Sequence, residues 1–287
     1  MAIVVSDVVT DLEQAFPFQD LLKLDYFQKY RRAHYRFREE RFVVEPRRNY
    51  RSLLQYLTEI HEYSSDDAKG FAKKLRDEDS EWRSGEAIFA EIIVYRYYVR
   101  LVSEGIVRSA RLGRKDCDVI VERLDGSREY LEVLSIRPNL PEPGPEGFAS
   151  YKISTHTQDA KSSIRQKLLH KIREQKQMSK PRENYAVIEL NDVSIVGDFH
   201  VLSSLSDGYK IHIGRKTRRK IDEGFDWNSS IFHGDCARYV KGVIWFDLGD
   251  YESRRILYNP FFKLPWRVRL MNLCRRMLFA LKPQVNA

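Results

Sequence analysis

The chain has 287 residues, with 49 lysines and arginines against 41 aspartates and glutamates, a net charge of +8. Its 43% hydrophobic and 12% aromatic residues suffice for a sizeable core, and 31% charged residues falls short of a disordered composition. Fibrous and disulfide-scaffold classes are excluded: Cys117, Cys236 and Cys274 are odd in number, far apart and without a C-x-x-C pair, which fits a reducing cytoplasm.

The N-terminus, Met1 to Asp7, has no basic region, and its apolar run is too short for a signal peptide or a spanning helix. The basic balance favours phosphate-bearing partners, nucleic acid first. The first eighty residues read as helices. Tyr50, Leu53, Leu54, Leu57 and Ile60 recur at the spacing that puts one apolar stripe on a helix. Upstream, Tyr30 to Arg38 interleaves aromatic rings with cations, a pattern that suits either a solvated helix face or stacking and phosphate contact. This unit, 1–83, precedes a core expected over 84–262 and a C-terminal helix over 263–287.

Glu86 to Val102 is apolar almost all the way round, which predicts a helix buried on most faces. Glu91 lies in its middle, and a carboxylate there must find a partner or carry a raised pKa. Pairing with Arg96 or Arg100 on the same helix is the structural alternative to a functional role.

The period then switches to two. Asp118 to Glu122 and Tyr130 to Ile136 alternate as strands around the turn signal Leu124-Asp125-Gly126. A two-residue loop would pair Leu124 with Ser127 and set Asp118 opposite Val133. A three-residue loop with Gly126 left-handed would pair Arg123 with Ser127 and set Asp118 opposite Glu132. In that second register two like charges face each other at about 5 Å, so a cation or a proton must sit between them. Two hard oxygen ligands with water and phosphate suit Mg²⁺ or Mn²⁺. Solvent exposure of both carboxylates beside Arg123 and Arg128 is the bland alternative.

Arg137 to Ser150 carries four prolines and two glycines, hence an exposed loop. Gln158 to Met178 is an amphipathic helix in which Lys171 and Gln175 fall in the apolar stripe of Ile164, Leu168, Ile172 and Met178. Tyr185 to Leu190 and Val240 to Leu248 read as core strands, with Arg255 to Tyr258 pairing the latter. Arg215, Lys216, Arg218, Arg219 and Lys220 form the densest basic cluster, suited to a phosphate backbone or to a solvated loop. The last helix, Trp266 to Leu281, is too short to span a bilayer; docking on the protein's own core or a partner is expected over a membrane surface.

Glu91 on a buried helix, Asp118 in Lys115-Asp116-Cys117-Asp118-Val119, and Glu132 in Tyr130-Leu131-Glu132-Val133-Leu134 follow one another before a polar-faced helix and a further strand. That order resembles the PD-(D/E)XK, or restriction-endonuclease-like, superfamily over about Ser84 to Pro260. The resemblance implies an α/β/α core around a mixed sheet, with Asp118 and Glu132 holding Mg²⁺ or Mn²⁺, Glu91 assisting, and a phosphodiester of nucleic acid as substrate. Asp116 could take the place of Asp118 as ligand. Two residues after the Glu, where the family has its Lys, this chain has Leu134. Lys171 or Lys167 on the following helix, with Gln175 as a second polar group, are the candidates for that role. The expected function is a metal-dependent nuclease. The alternatives are a non-catalytic nucleic-acid-binding or assembly protein on the same fold, and a helical scaffold that docks a partner or membrane surface through its C-terminal helix.

Overall fold

A computed structural model of the chain describes residues 17–25, 50–78, 82–113, 117–136, 164–174, 178, 180–190, 198–233, 237–247, 249–271 and 273. Asp116, Gln175, the 137–150 loop, the 30–38 aromatic and basic stretch, Cys236 and Cys274 lie outside the described residues.

The architecture is mixed α/β. After a short 3-10 turn at Gln19–Lys23 come α1 (Tyr50–Tyr63), α2 (Ser65–Asp77) and α3 (Trp82–Ser103), then β1 (Val107–Leu112), β2 (Val119–Arg123) and β3 (Arg128–Ile136). A helix over residues 164–174, α4, ends in a π turn at His170–Glu174. β4 (Glu183–Leu190), α5 (Asp198–Leu205), β5 (Lys210–Ile213), β6 (Lys220–Gly224), β7 (Val240–Asp247) and β8 (Arg255–Tyr258) follow, and α6 occupies residues 266–271. Among the described residues six strands form one sheet in the order β1-β2-β3-β4-β7-β8, while β5 and β6 form a separate pair. The large sheet is mixed: β3-β4-β7 is parallel and the remaining pairings are antiparallel.

Alternation along the central strands explains the layers. Leu131, Val133, Tyr185, Val187, Ile244 and Phe246 belong to one apolar cluster with α1, α2 and α3. Their neighbours Leu134, Ile136, Ala186, Ile188, Val243 and Trp245 belong to a second cluster with Ile164, Leu168, Ile172, Val201 and Leu205. A strand buried on both faces reads as a continuous apolar run, and β4 and β7 do so. The apolar stripe of α1 is fully used, since Leu53, Leu57 and Ile60 have no exposed surface. Residues on both sides of position 83 therefore share one core. α2 starts where the Ser64 side chain accepts the Asp67 N–H at 3.3 Å, with Asp66 and Asp67 complementing the helix dipole. It is tied to α3 by Tyr95, whose hydroxyl donates to Asp67.

Phe71 of α2 is fully buried and meets the Tyr95 ring edge-on at 5.5 Å between centroids. Phe71→Ala is expected to destabilise the fold by roughly 3–5 kcal/mol, read as a shift of the urea midpoint at unchanged slope.

Among the described residues no helix is long and apolar enough to cross a membrane. The described start of the C-terminal helix does not bury its stripe: Trp266, Leu270 and Leu273 are each at least half exposed. Docking of that stretch on the protein's own core is thus not what residues 266–273 do.

Candidate active site

The hairpin takes the three-residue loop. Arg123 N–H donates to Ser127 O at 2.8 Å, Gly126 N–H donates to Arg123 O at 2.9 Å, and Gly126 has φ +76°. Only glycine adopts that conformation without a steric penalty, so Gly126→Ala should lower stability by about 1 kcal/mol, measurable by chemical denaturation. The Asp125 carboxylate fastens the turn by accepting from the N–H and hydroxyl of Ser127. The ladder then runs Glu122 with Arg128, Ile120 with Tyr130 and Val119 with Leu131. Continued by one pair, this register sets Asp118 across from Glu132.

Among the described residues β2 stops at Val119 while β3 runs on to Ile136, paired there with β4. The sheet therefore has a notch on the β2 side of Glu132. Asp118 fills part of it: its N–H donates to Leu131 O at 3.0 Å, and its carboxylate accepts the Val133 N–H at 2.8 Å. A side chain thus replaces the missing strand partner. From each helix layer one lysine reaches an acid at this edge. Lys74 near the end of α2 lies 2.5 Å from Glu91 of α3 and 3.9 Å from Asp118. From the opposite layer, Lys171 contacts Glu132 Oε1 at 2.5 Å.

Lys171 stands in the π turn of α4, the kind of local widening that re-aims a side chain and recurs at functional sites. Lys167, one turn earlier, donates instead to Ser135 O at 3.1 Å. Of the two lysine candidates, Lys171 is the one that touches Glu132. Glu132 is only 2% exposed, and its second oxygen, Oε2, is buried with no hydrogen-bond partner. This rules out the solvent-facing arrangement for Glu132. Arg123 and Arg128 are engaged with Glu129 and Glu122.

The electrostatics follow from burial. Burial, then the Asp118 charge, pushes the Glu91 carboxyl up to about 8 against the pull of Lys74. Burial, then Asp118, raises Glu132 to about 7 against Lys171 and Lys74. Burial works against the Lys74 ammonium as well, but Glu91 and Asp118 outweigh it and hold its pKa above the ordinary value. Glu91 and Glu132 therefore hold protons more tightly than ordinary carboxyls, first through burial and then through the neighbouring Asp118 charge.

Glu91 does not pair with Arg96 or Arg100. Arg96 binds Glu59 at 2.5 Å and stacks on Tyr56, and Arg100 binds Glu252 and Glu104. Both point away because they lie five and nine residues on, off the face that carries Glu91. The partner it has, Lys74, is absent from the sequence reading. The available signal was its position between Phe71 and Leu75, on the border of the buried stripe of α2.

Among the described residues no three His, Cys, Asp or Glu side chains are gathered as a ready cation cage; the two ammoniums stand among the acids. The donor chemistry nonetheless fits a hard divalent cation, with two carboxylates in register and the buried Glu132 Oε2 unpaired. Comparison with protein-family models, curated proteins and solved structures returns no match.

The basic cluster forms the exposed end of the β5–β6 hairpin, with Arg215, Lys216, Arg218, Arg219 and Lys220 all exposed. It shares no residue with the acidic cluster.

Proposed function

We propose that this chain is a metal-dependent nucleic-acid phosphodiesterase on a restriction-endonuclease-like fold. The observation that carries the reading is the pair of lysine contacts at the hairpin edge: Lys74 joins Glu91 to Asp118, and Lys171 meets the buried Glu132, which the hairpin register sets across from Asp118. Leu134 leaves the family's usual lysine position apolar, and Lys171 brings an ammonium to the same acid from the following helix.

Asp118 and Glu132 would hold Mg²⁺ or Mn²⁺, with Glu91 assisting. The bound cation supplies Lewis-acid polarisation of a phosphoryl oxygen and makes water at the site more acidic. Lys171, at Glu132 in this structure, would donate a hydrogen bond from Nζ to a non-bridging phosphate oxygen as charge builds there. Glu91 takes or yields a proton at its carboxyl near neutral pH, the property wanted of a general base. Lys74 holds Glu91 and Asp118 in place. The exposed cations of the β5–β6 hairpin contribute affinity for the phosphate backbone.

The test is cleavage of labelled single- and double-stranded DNA and RNA in Mg²⁺, Mn²⁺ or EDTA, beside Asp118→Asn and Glu132→Gln proteins of verified fold. Metal-dependent cleavage lost in both variants supports the reading. Binding without cleavage in every metal assigns the chain to the non-catalytic alternative, which Leu134 favours.

Cation binding should also be coupled to protons. Titration of Mn²⁺ calorimetrically in two buffers of different ionisation enthalpy at pH 7 is expected to show proton release, and the affinity to rise between pH 6 and 8.

A further inference from the structure

The β5–β6 hairpin is a separate two-stranded ribbon, joined to no strand of the main sheet. Its extensive packing is strand on strand. Its base is anchored: Tyr209 and Phe225, just outside the two strands, lie 6.1 Å apart, and Phe225 meets Trp227 at 4.5 Å. Ser206 bridges to Ser230 across the root and donates to Asp226 O at 2.7 Å. From there β5 runs for about 13 Å and β6 for about 16 Å, at roughly 3.3 Å per residue.

The far end is held in a defined shape rather than left open. Gly214 N–H donates to Arg219 O and Arg218 N–H to Gly214 O, both at 2.8 Å, with Arg218 at φ 54°. Five of the six residues from Arg215 to Lys220 are cations, and none of the five is buried. On the two strands beside them, Ile213 is 61% and Ile221 73% exposed. Among the described residues nothing covers these two isoleucines beside the basic tip.

We infer that this hairpin is a groove-reading wing for B-form duplex DNA, a reading that refines the substrate class of the proposed function. A two-stranded ribbon fits the major groove, about 12 Å wide, whereas the deep narrow groove of A-form RNA shuts it out. Single-strand binders stack bases on aromatic rings, and residues 210–224 contain no Phe, Tyr or Trp. The cations sit where phosphates flank an inserted ribbon, and the isoleucines meet sugar and thymine-methyl surface. The root is close to the acidic cluster: Arg165 of α4 binds Asp207 at 3.2 Å and Ser204 O at 3.2 Å. Lys171 lies six residues further along that helix, roughly 9 Å.

The experiment measures binding, in an Asp118→Asn background, to duplex DNA, single-stranded DNA, duplex RNA and anionic phospholipid vesicles across a salt series. Duplex DNA is expected to bind at least tenfold tighter than the others. Replacing Arg215, Arg218 and Arg219 together by Ala should weaken it about tenfold or more and reduce the salt slope by about two to three, the release expected for three phosphates. Ile213→Ser with Ile221→Ser should weaken binding with the slope unchanged, which separates groove contact from charge. Equal binding of duplex RNA or single strands, preference for vesicles, or an unchanged slope in the triple variant overturns the wing. Because catalysis plays no part in this readout, failure to cleave in the earlier test leaves it intact.

Discussion

Asp118→Asn and Glu132→Gln are each expected to abolish metal-dependent cleavage, by about a thousandfold or more, while duplex binding stays within a few-fold of wild type. Asp118 has two duties, since its carboxylate also accepts the Val133 N–H. Asn retains a carbonyl oxygen for that bond, so the hairpin edge should survive the substitution while a negative charge is lost. Lys171→Ala is expected to reduce turnover by about 10²- to 10³-fold with little change in KM, the pattern of a group that acts on the transition state. Lys167→Ala, removing a cation that donates to Ser135 O, should change turnover by less than tenfold. Equal loss in both lysine variants would place charge stabilisation elsewhere. Single-turnover cleavage of one labelled duplex reads all four variants.

The second large effect is on stability, and its direction is opposite to that on activity. Glu91 and Glu132 bind protons more tightly in the folded chain than the ordinary carboxyl value of 4.5 allows, with values of about 8 and about 7. The folded state thus holds protons that the unfolded state has released, so stability falls as pH rises from about 4.5 through 7 to 8. Below 4.5 this contribution is complete; above 8 it is lost. For Glu91 alone, 13% exposed at its side chain, the loss is on the order of a few kcal/mol. Thermal unfolding of the metal-free protein should therefore drop by several degrees between pH 5 and 8. Glu91→Gln should flatten that profile and melt above wild type at pH 8. A melting temperature that rises over this range would show that the acids are fully paired and carry no such cost.

Legibility in the sequence followed the strength of local pattern. The leucines of the α1 stripe, the all-round apolar run of α3 and the β-branched runs of β4 and β7 identified elements that are largely buried, whereas β8, also legible as a strand, leaves Ile256 and Tyr258 exposed. β1 was not legible because a bulge between Val107 and Ser109 breaks its alternation, leaving buried residues at every third position. The hairpin gave two registers, since Asp125-Gly126 suits both loop lengths, and the left-handed Gly126 selects one. In the acidic cluster, Glu91, Asp118, Glu132 and Lys171 could be singled out because each breaks an apolar or alternating pattern. Lys74 could not, since it lies at the border of a stripe, where lysines are common. Only tertiary packing of α2 on α3 brings it to Glu91.

That contribution of α2 bears on where the chain can be divided. A fragment starting at residue 84 would retain Glu91, Asp118, Glu132 and Lys171, together with the whole six-stranded sheet. It would also uncover the face on which α1 and α2 lie, and Glu91 would lose the ammonium it rests against. The N-terminal helices are therefore not an appendage to a self-sufficient core, and excision at that point strips one side of the acidic cluster along with part of the hydrophobic interior.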